Sequence, residues 1–136
     1  MIVALLAACG GAQAPAAAPA APVVDGDPTC PLELPGTSVA VEDTPDGAAL
    51  VFVTTGSVDE IRVRARALSD AHDQRGSVRG GLAAMFTTPS TTAMTPIPGG
   101  ARVAFTPAKP DDLAALQREL HSHGEHLGGN SCRMAM

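Results

Sequence analysis

A unit of two apolar strands followed by one amphipathic helix occurs twice in this chain, and no other feature restricts its fold as tightly. Sliding the sequence on itself by about 52 residues places Asp46-Gly47 on Pro98-Gly99, Val51 on Val103, Ile61 on Leu113 and Leu68 on Leu120. In the first copy, residues 38–43 alternate with Val39 and Val41 on one face, residues 44–47 read Thr-Pro-Asp-Gly, and residues 48–55 form a Val-rich run. Alternation, turn and apolar run together predict a hairpin. Ser57 with Glu60 makes a capping box, and Val58, Ile61, Ala65 and Leu68 then recur at helical spacing. In the second copy, residues 91–95 and 101–107 flank a Pro-Ile-Pro-Gly-Gly turn. Pro110 opens the following helix, Asp111 and Asp112 complement its positive end, and Leu113, Leu116, Leu120, His123 and Leu127 form its apolar stripe. Gly128-Gly129 closes it. The repeats therefore run over about 38–72 and about 91–127.

Two ββα units can bury both helices together on one face of a four-stranded antiparallel sheet, which predicts an α+β two-layer domain. That arrangement resembles a circularly permuted ferredoxin-like fold. The second strand is apolar on both faces, with Val51 and Val53 on one and Leu50 and Phe52 on the other. In this alignment its repeat partner sets Arg102 and Ala104 against Leu50 and Phe52. The alignment thus leaves the Leu50/Phe52 face to be covered by the segment 73–90, with Leu82, Met85 and Phe86, by a protein partner, or by a second copy in a homodimer. A one-residue slip would exchange the two faces.

A length of 136 residues leaves room for one such domain once the opening segment is set aside. Residues Met1 to Cys9 form an uncharged apolar run ending Leu6-Ala7-Ala8-Cys9, with Gly10 next. This resembles the lipobox of bacterial lipoprotein precursors, although the basic residues that open such signals are missing. The resemblance implies cleavage before Cys9, a lipid on its sulfur, and a domain held at a membrane of the cell envelope, facing the periplasm or the exterior. Residues 11–28 are dominated by Ala and Pro, a composition that stays extended and suits a tether. The expected layout is a signal peptide at 1–8, an anchored linker at 9–28 and one domain at 29–136.

With Cys9 assigned to lipid, Cys30 and Cys132 bracket the repeats, and an exported chain with two such cysteines suggests a disulfide between them. The second helix ends in His121, His123 and His126, and Cys132 and Met134 follow. Imidazole, thiolate and thioether suit copper, and imidazole with thiolate suits zinc. His121 and His123 do not share a helix face, however, and His123 lies on the apolar stripe. A disulfide would also remove Cys132 from any metal.

A net charge of −5 and three aromatic residues, all Phe, offer neither a basic footprint nor a stacking platform for nucleic acid. The chain carries no Gly-x-Ser-x-Gly elbow, and Gly80-Gly81 and Gly99-Gly100 lack the strand-to-helix setting of a phosphate loop. His72, beside Asp70 and Asp73, is the best acid/base candidate but continues the apolar stripe of the first helix. Arg62, Arg64 and Arg66 form a solvated face, with Glu60–Arg64 and Arg66–Asp70 as i,i+4 pairs. The expectation is a non-catalytic binding or structural domain on a lipid anchor, with a copper- or zinc-binding lipoprotein as the alternative.

Overall fold

Each hairpin closes on a two-residue turn that its sequence is built to make. Pro45-Asp46 joins the first pair of strands, with the Thr44 hydroxyl donating to Asp46 Oδ1 at 3.2 Å. Pro98-Gly99 joins the second, and Gly99 takes a φ of +72°, a conformation glycine adopts without strain. The computed structural model describes residues 29–74 and 86–126. In chain order they form β1 (Thr37–Thr44), β2 (Gly47–Thr54), α1 (Val58–Asp73), β3 (Ser90–Ile97), β4 (Gly100–Pro107) and α2 (Leu113–His126). The four strands make one antiparallel sheet in the order β1-β2-β4-β3. This is the order that results when the ferredoxin-like βαββαβ fold is permuted to begin at its second strand.

Ser57 caps α1 by accepting from the Glu60 N–H at 3.2 Å. The second helix starts later than its Pro110 suggested. Pro110–Asp112 forms a separate 3-10 turn, and the α-helix begins at Leu113. Both helices pack on one side of the sheet. Ile61, Ala65 and Leu68 of α1 and Leu116 and Leu120 of α2 share one core with Leu50, Phe52, Val103 and Phe105. Each large apolar side chain buried there contributes about 1.5–3 kcal/mol by leaving water.

The strands of the two repeats superpose one residue later than the sequence alignment placed them. Leu50 corresponds to Val103, Phe52 to Phe105 and Gly47 to Gly100, and the pairs Ala40/Ala93, Pro45/Pro98 and Ala48/Ala101 become identical. The slip reverses every side chain on β2. Leu50 and Phe52 are therefore core residues with no exposed surface, and the expectation that they form an open face is overturned. The open face carries Val51 and Val53, the latter 43 % exposed. Hydropathy could not choose between two apolar faces, whereas matched two-residue turns do, because Pro96 and Ile97 remain in the strand.

The register makes the two central strands equivalent about a pseudo-twofold axis through the Leu50–Val103 pair. Gly47 and Gly100 each open a central strand where the other crosses. A Cβ on Gly47 would lie 1.8 Å from the Phe105 carbonyl oxygen, and one on Gly100 would lie 1.8 Å from that of Phe52. No side chain fits at either place.

Two outcomes test this packing. Gly47→Ala and Gly100→Ala should each destabilise the domain by about 1–3 kcal/mol, the usual cost of overpacking, read as a lower urea midpoint at unchanged slope; an unchanged midpoint would contradict the close approach. Leu50→Ala and Phe52→Ala should cost about 2–5 kcal/mol each, whereas Val53→Ala should stay within about 0.5 kcal/mol, and a reversed ranking would restore the other face assignment.

Candidate functional site

Each helix sends a long polar side chain to the turn end of the other repeat's hairpin. Arg62 of α1 donates to Ile97 O at 2.9 Å and Gly100 O at 3.2 Å. Gln117 of α2 donates to the equivalent carbonyls of the first hairpin, Thr44 O at 3.2 Å and Gly47 O at 3.0 Å. Arg64 pairs with Glu60 at 3.0 Å and also donates to Cys30 O at 3.2 Å. Two of the three arginines expected on a solvated face are thus tied to backbone carbonyls. The expected Arg66–Asp70 pair is not among the ion pairs of the described residues.

The residues with the most chemical capacity meet where α1, α2 and β3 come together around the segment that precedes β3. His72 is 2 % exposed, and its ring lies edge-on to Phe105 at 5.1 Å and to Phe86 at 6.3 Å. Phe86 in turn meets Phe105 at 4.9 Å and His123 at 5.5 Å. His72 Nε2 stands 2.9 Å from Ser90 Oγ, and the Ser90 hydroxyl donates to Thr88 O at 3.1 Å. Since that hydroxyl has one proton, Nε2–H is assigned as the donor to Ser90. The neighbouring Asp73 turns elsewhere, accepting from Thr92 N–H at 2.9 Å and from the Thr92 hydroxyl at 3.1 Å. His72, Ser90 and Asp73 therefore do not form a relay, and the His–Ser pair sits inside the protein as a structural hydrogen bond.

Glu119 of α2 holds the same segment from the other side. Its carboxylate accepts from the backbone N–H and the hydroxyl of both Thr87 and Thr88, with the Thr87 hydroxyl at 3.1 Å and the Thr88 N–H at 3.0 Å. Partial burial alone would raise the carboxyl pKa. The hydrogen bonds from Thr88 and Thr87 outweigh it and leave the pKa below the usual carboxylate value.

The histidines of α2 diverge. His121 Nε2 lies 3.0 Å from Asp43 Oδ1 on β1, whereas His123 packs on Phe86. The side chain of His126 and the residues Cys132 and Met134 lie outside the described residues, as do Cys9 and the proposed linker. No group of three His, Cys, Asp or Glu side chains able to hold a metal occurs among the described residues. Cys30 is fully buried at the entry to the domain.

Two shallow grooves flank the helices at the edges of the sheet. One, of about 430 Å³, lies between α1 and β3 against Arg62, Arg66, Asp70 and Met94. The other, of about 560 Å³, lies between α2 and β1 against Asp43, Gln117, Arg118 and His121. The opposite face of the sheet carries mainly Ala, Thr and Val side chains, crossed by an Arg102–Glu42 ion pair at 3.1 Å. No family model, curated protein or solved structure matches the chain.

Sequence reading missed Glu119, Gln117 and Arg62 as positioning residues. All three are polar residues on exposed-looking helix positions, and their targets are backbone groups far away in the chain. The pKa of Glu119 sets a sign for its effect. A carboxyl whose pKa is lower in the folded than in the unfolded chain adds stability above the unfolded pKa, and that stability is lost as pH falls through the folded value. Glu119→Gln should therefore lower the melting temperature at neutral pH, with the gap to the wild type closing as pH falls below the ordinary carboxylate range; a gap independent of pH would show that the carboxylate charge is not what the threonines hold.

Proposed function

We propose that this chain is an exported lipoprotein, held at a cell-envelope membrane through lipid on Cys9, whose ββαββα domain is a non-catalytic binding module. One observation carries the reading of the domain: among the described residues, the reactive side chains clustered between the helices and β3 are bonded to other parts of the fold. His72 is bonded to Ser90 inside the core, Asp73 to Thr92, and Glu119 to Thr87 and Thr88, and no buried side-chain polar atom among the described residues lacks a partner. Among the described residues, two edge grooves and a sheet face of small side chains offer surface for contact.

The anchor is supported by Leu6-Ala7-Ala8-Cys9 and by the Ala/Pro run that separates this cysteine from the first described residue. No helix among the described residues is long and apolar enough to cross a membrane. A disulfide between Cys30 and Cys132 belongs to the same reading, supported by the full burial of Cys30 and by the places of the two cysteines on either side of the repeats. With Leu50 and Phe52 inside the core, a protein partner on the sheet would meet Val51 and Val53 instead. Copper or zinc binding by His121, His123, His126, Cys132 and Met134 draws less support, because His121 and His123 are directed to opposite neighbours.

The decisive experiment is mass spectrometry of the chain expressed in a bacterium with its signal intact. The expected product begins at Cys9 with a diacylglyceryl adduct, partitions with membranes, accumulates as precursor in globomycin, and is lost in Cys9→Ser. An unmodified amino terminus upstream of Cys9, insensitive to globomycin, would overturn the anchor.

A further inference from the structure

β1 and β3 hold equivalent places in the two repeats, at the two edges of the sheet, but among the described residues only β3 is guarded. The Thr54 N–H donates toward β4, to Gly99 O at 3.0 Å. Strand alternation then directs the N–H groups of Val39, Val41 and Asp43 away from the sheet, just as positions 92, 94 and 96 face outward in β3. In β3, Pro96 has no N–H to offer, the Thr92 N–H is taken by Asp73, and the Thr92 hydroxyl contacts Ser69 Oγ at 2.6 Å. These are the devices by which proteins block an edge against strand addition.

In β1 no proline replaces an outward N–H and no helix side chain takes one among the described residues; the contact of His121 Nε2 with Asp43 Oδ1 at 3.0 Å engages the carboxylate and leaves the Asp43 N–H open. Asp43 stands in place of Pro96 and Val39 in place of Thr92. The helices match with Ile61 on Leu116 and Ala65 on Leu120, so Ser69 corresponds to Gly124, which has no side chain to bond an edge. Val39, Val41 and Asp43 give their outward N–H to no group among the described residues.

We infer that a second copy of this chain pairs antiparallel along β1, joining two sheets into one of eight strands. The strand is suited to pairing with itself. Centred on Ala40, the pairing sets Val39 of each copy against Val41 of the other, Ser38 against Glu42, and Thr37 against Asp43, so that no charge faces its like. It also engages nearly the whole of the eight-residue strand. Registers centred on Glu42 or Asp43 would place that carboxylate against itself. The groove of about 560 Å³ between β1 and α2 runs beside this edge and receives the side chains that an added strand presents on the helix side. A single strand edge roughly 27 Å long is a small interface, and it predicts association with a Kd on the order of tens of micromolar. The inference stands on the fold alone and is independent of the lipid anchor.

The test is sedimentation of the full chain carrying Cys9→Ser, which excludes crosslinking through that thiol, from roughly 1 μM to 1 mM, together with amide hydrogen exchange. The expected result is a monomer–dimer equilibrium in which the amides of Val39, Val41 and Asp43 gain protection as concentration rises. Asp43→Pro copies the guard found at Pro96 and should weaken the dimer by tenfold or more. Ala40→Lys, at an exposed position of the outer face, should do the same at unchanged melting temperature, which keeps the test valid if the proline variant fails to fold. Mixing Ala40→Lys with Ala40→Glu should restore association. A monomer throughout the range, or a dimer indifferent to charge at position 40, would overturn the inference and leave the edge to an extended segment of a different protein.

Discussion

The antiparallel pairing of β2 with β4 is the interaction on which the rest of this domain depends. Each ββα repeat alone is a hairpin and a helix, too little to close a core, and only the central pair makes one sheet of two hairpins. Its register sets Leu50 opposite Val103 and brings Phe52 and Phe105 to the same face, where both helices cover them. The backbones approach so closely at Gly47 and Gly100 that neither position has room for a side chain. The Arg62 and Gln117 contacts follow from the same geometry, since each helix lies over the hairpin of the other repeat once the central strands are paired.

Where the two halves match, the residues serve the fold; where they differ, the molecule acquires its own surface. Around β3 the side chains of Ser69, Asp73 and Thr92 weld helix to strand, whereas around β1 the positions matching Ser69 and Thr92 carry Gly124 and Val39. His72, Phe86 and Glu119 likewise belong to one end of the core, where they hold the segment entering β3 against both helices. Polar groups buried at such a junction are costly unless bonded, and here they are bonded to one another or to backbone.

The α+β class, the two hairpins, the capped first helix and the placement of both helices on one side were all legible in the residues. Turn composition, alternation and helical spacing are local signals, and each acts within a few residues. The candidate sites were less legible. His72 was readable as a core-edge residue from its spacing, and the divergence of His121 and His123 from theirs. The roles of Glu119, Gln117 and Arg62 were not, because a polar residue on a helix surface looks the same whether it faces water or a distant carbonyl.

By itself the sequence determined the repeated ββα pattern, and with it the number of strands and helices and the capacity to bury one core. Only the tertiary structure decided which face of β2 that core takes. Val51 and Val53 are as apolar as Leu50 and Phe52, so hydropathy was balanced, and the choice fell to turn length and to the pairing of strands some fifty residues apart. The two sheet edges were settled in the same way. Their difference lies in hydrogen bonds between α1 and β3, which come into being only when the two elements are packed together.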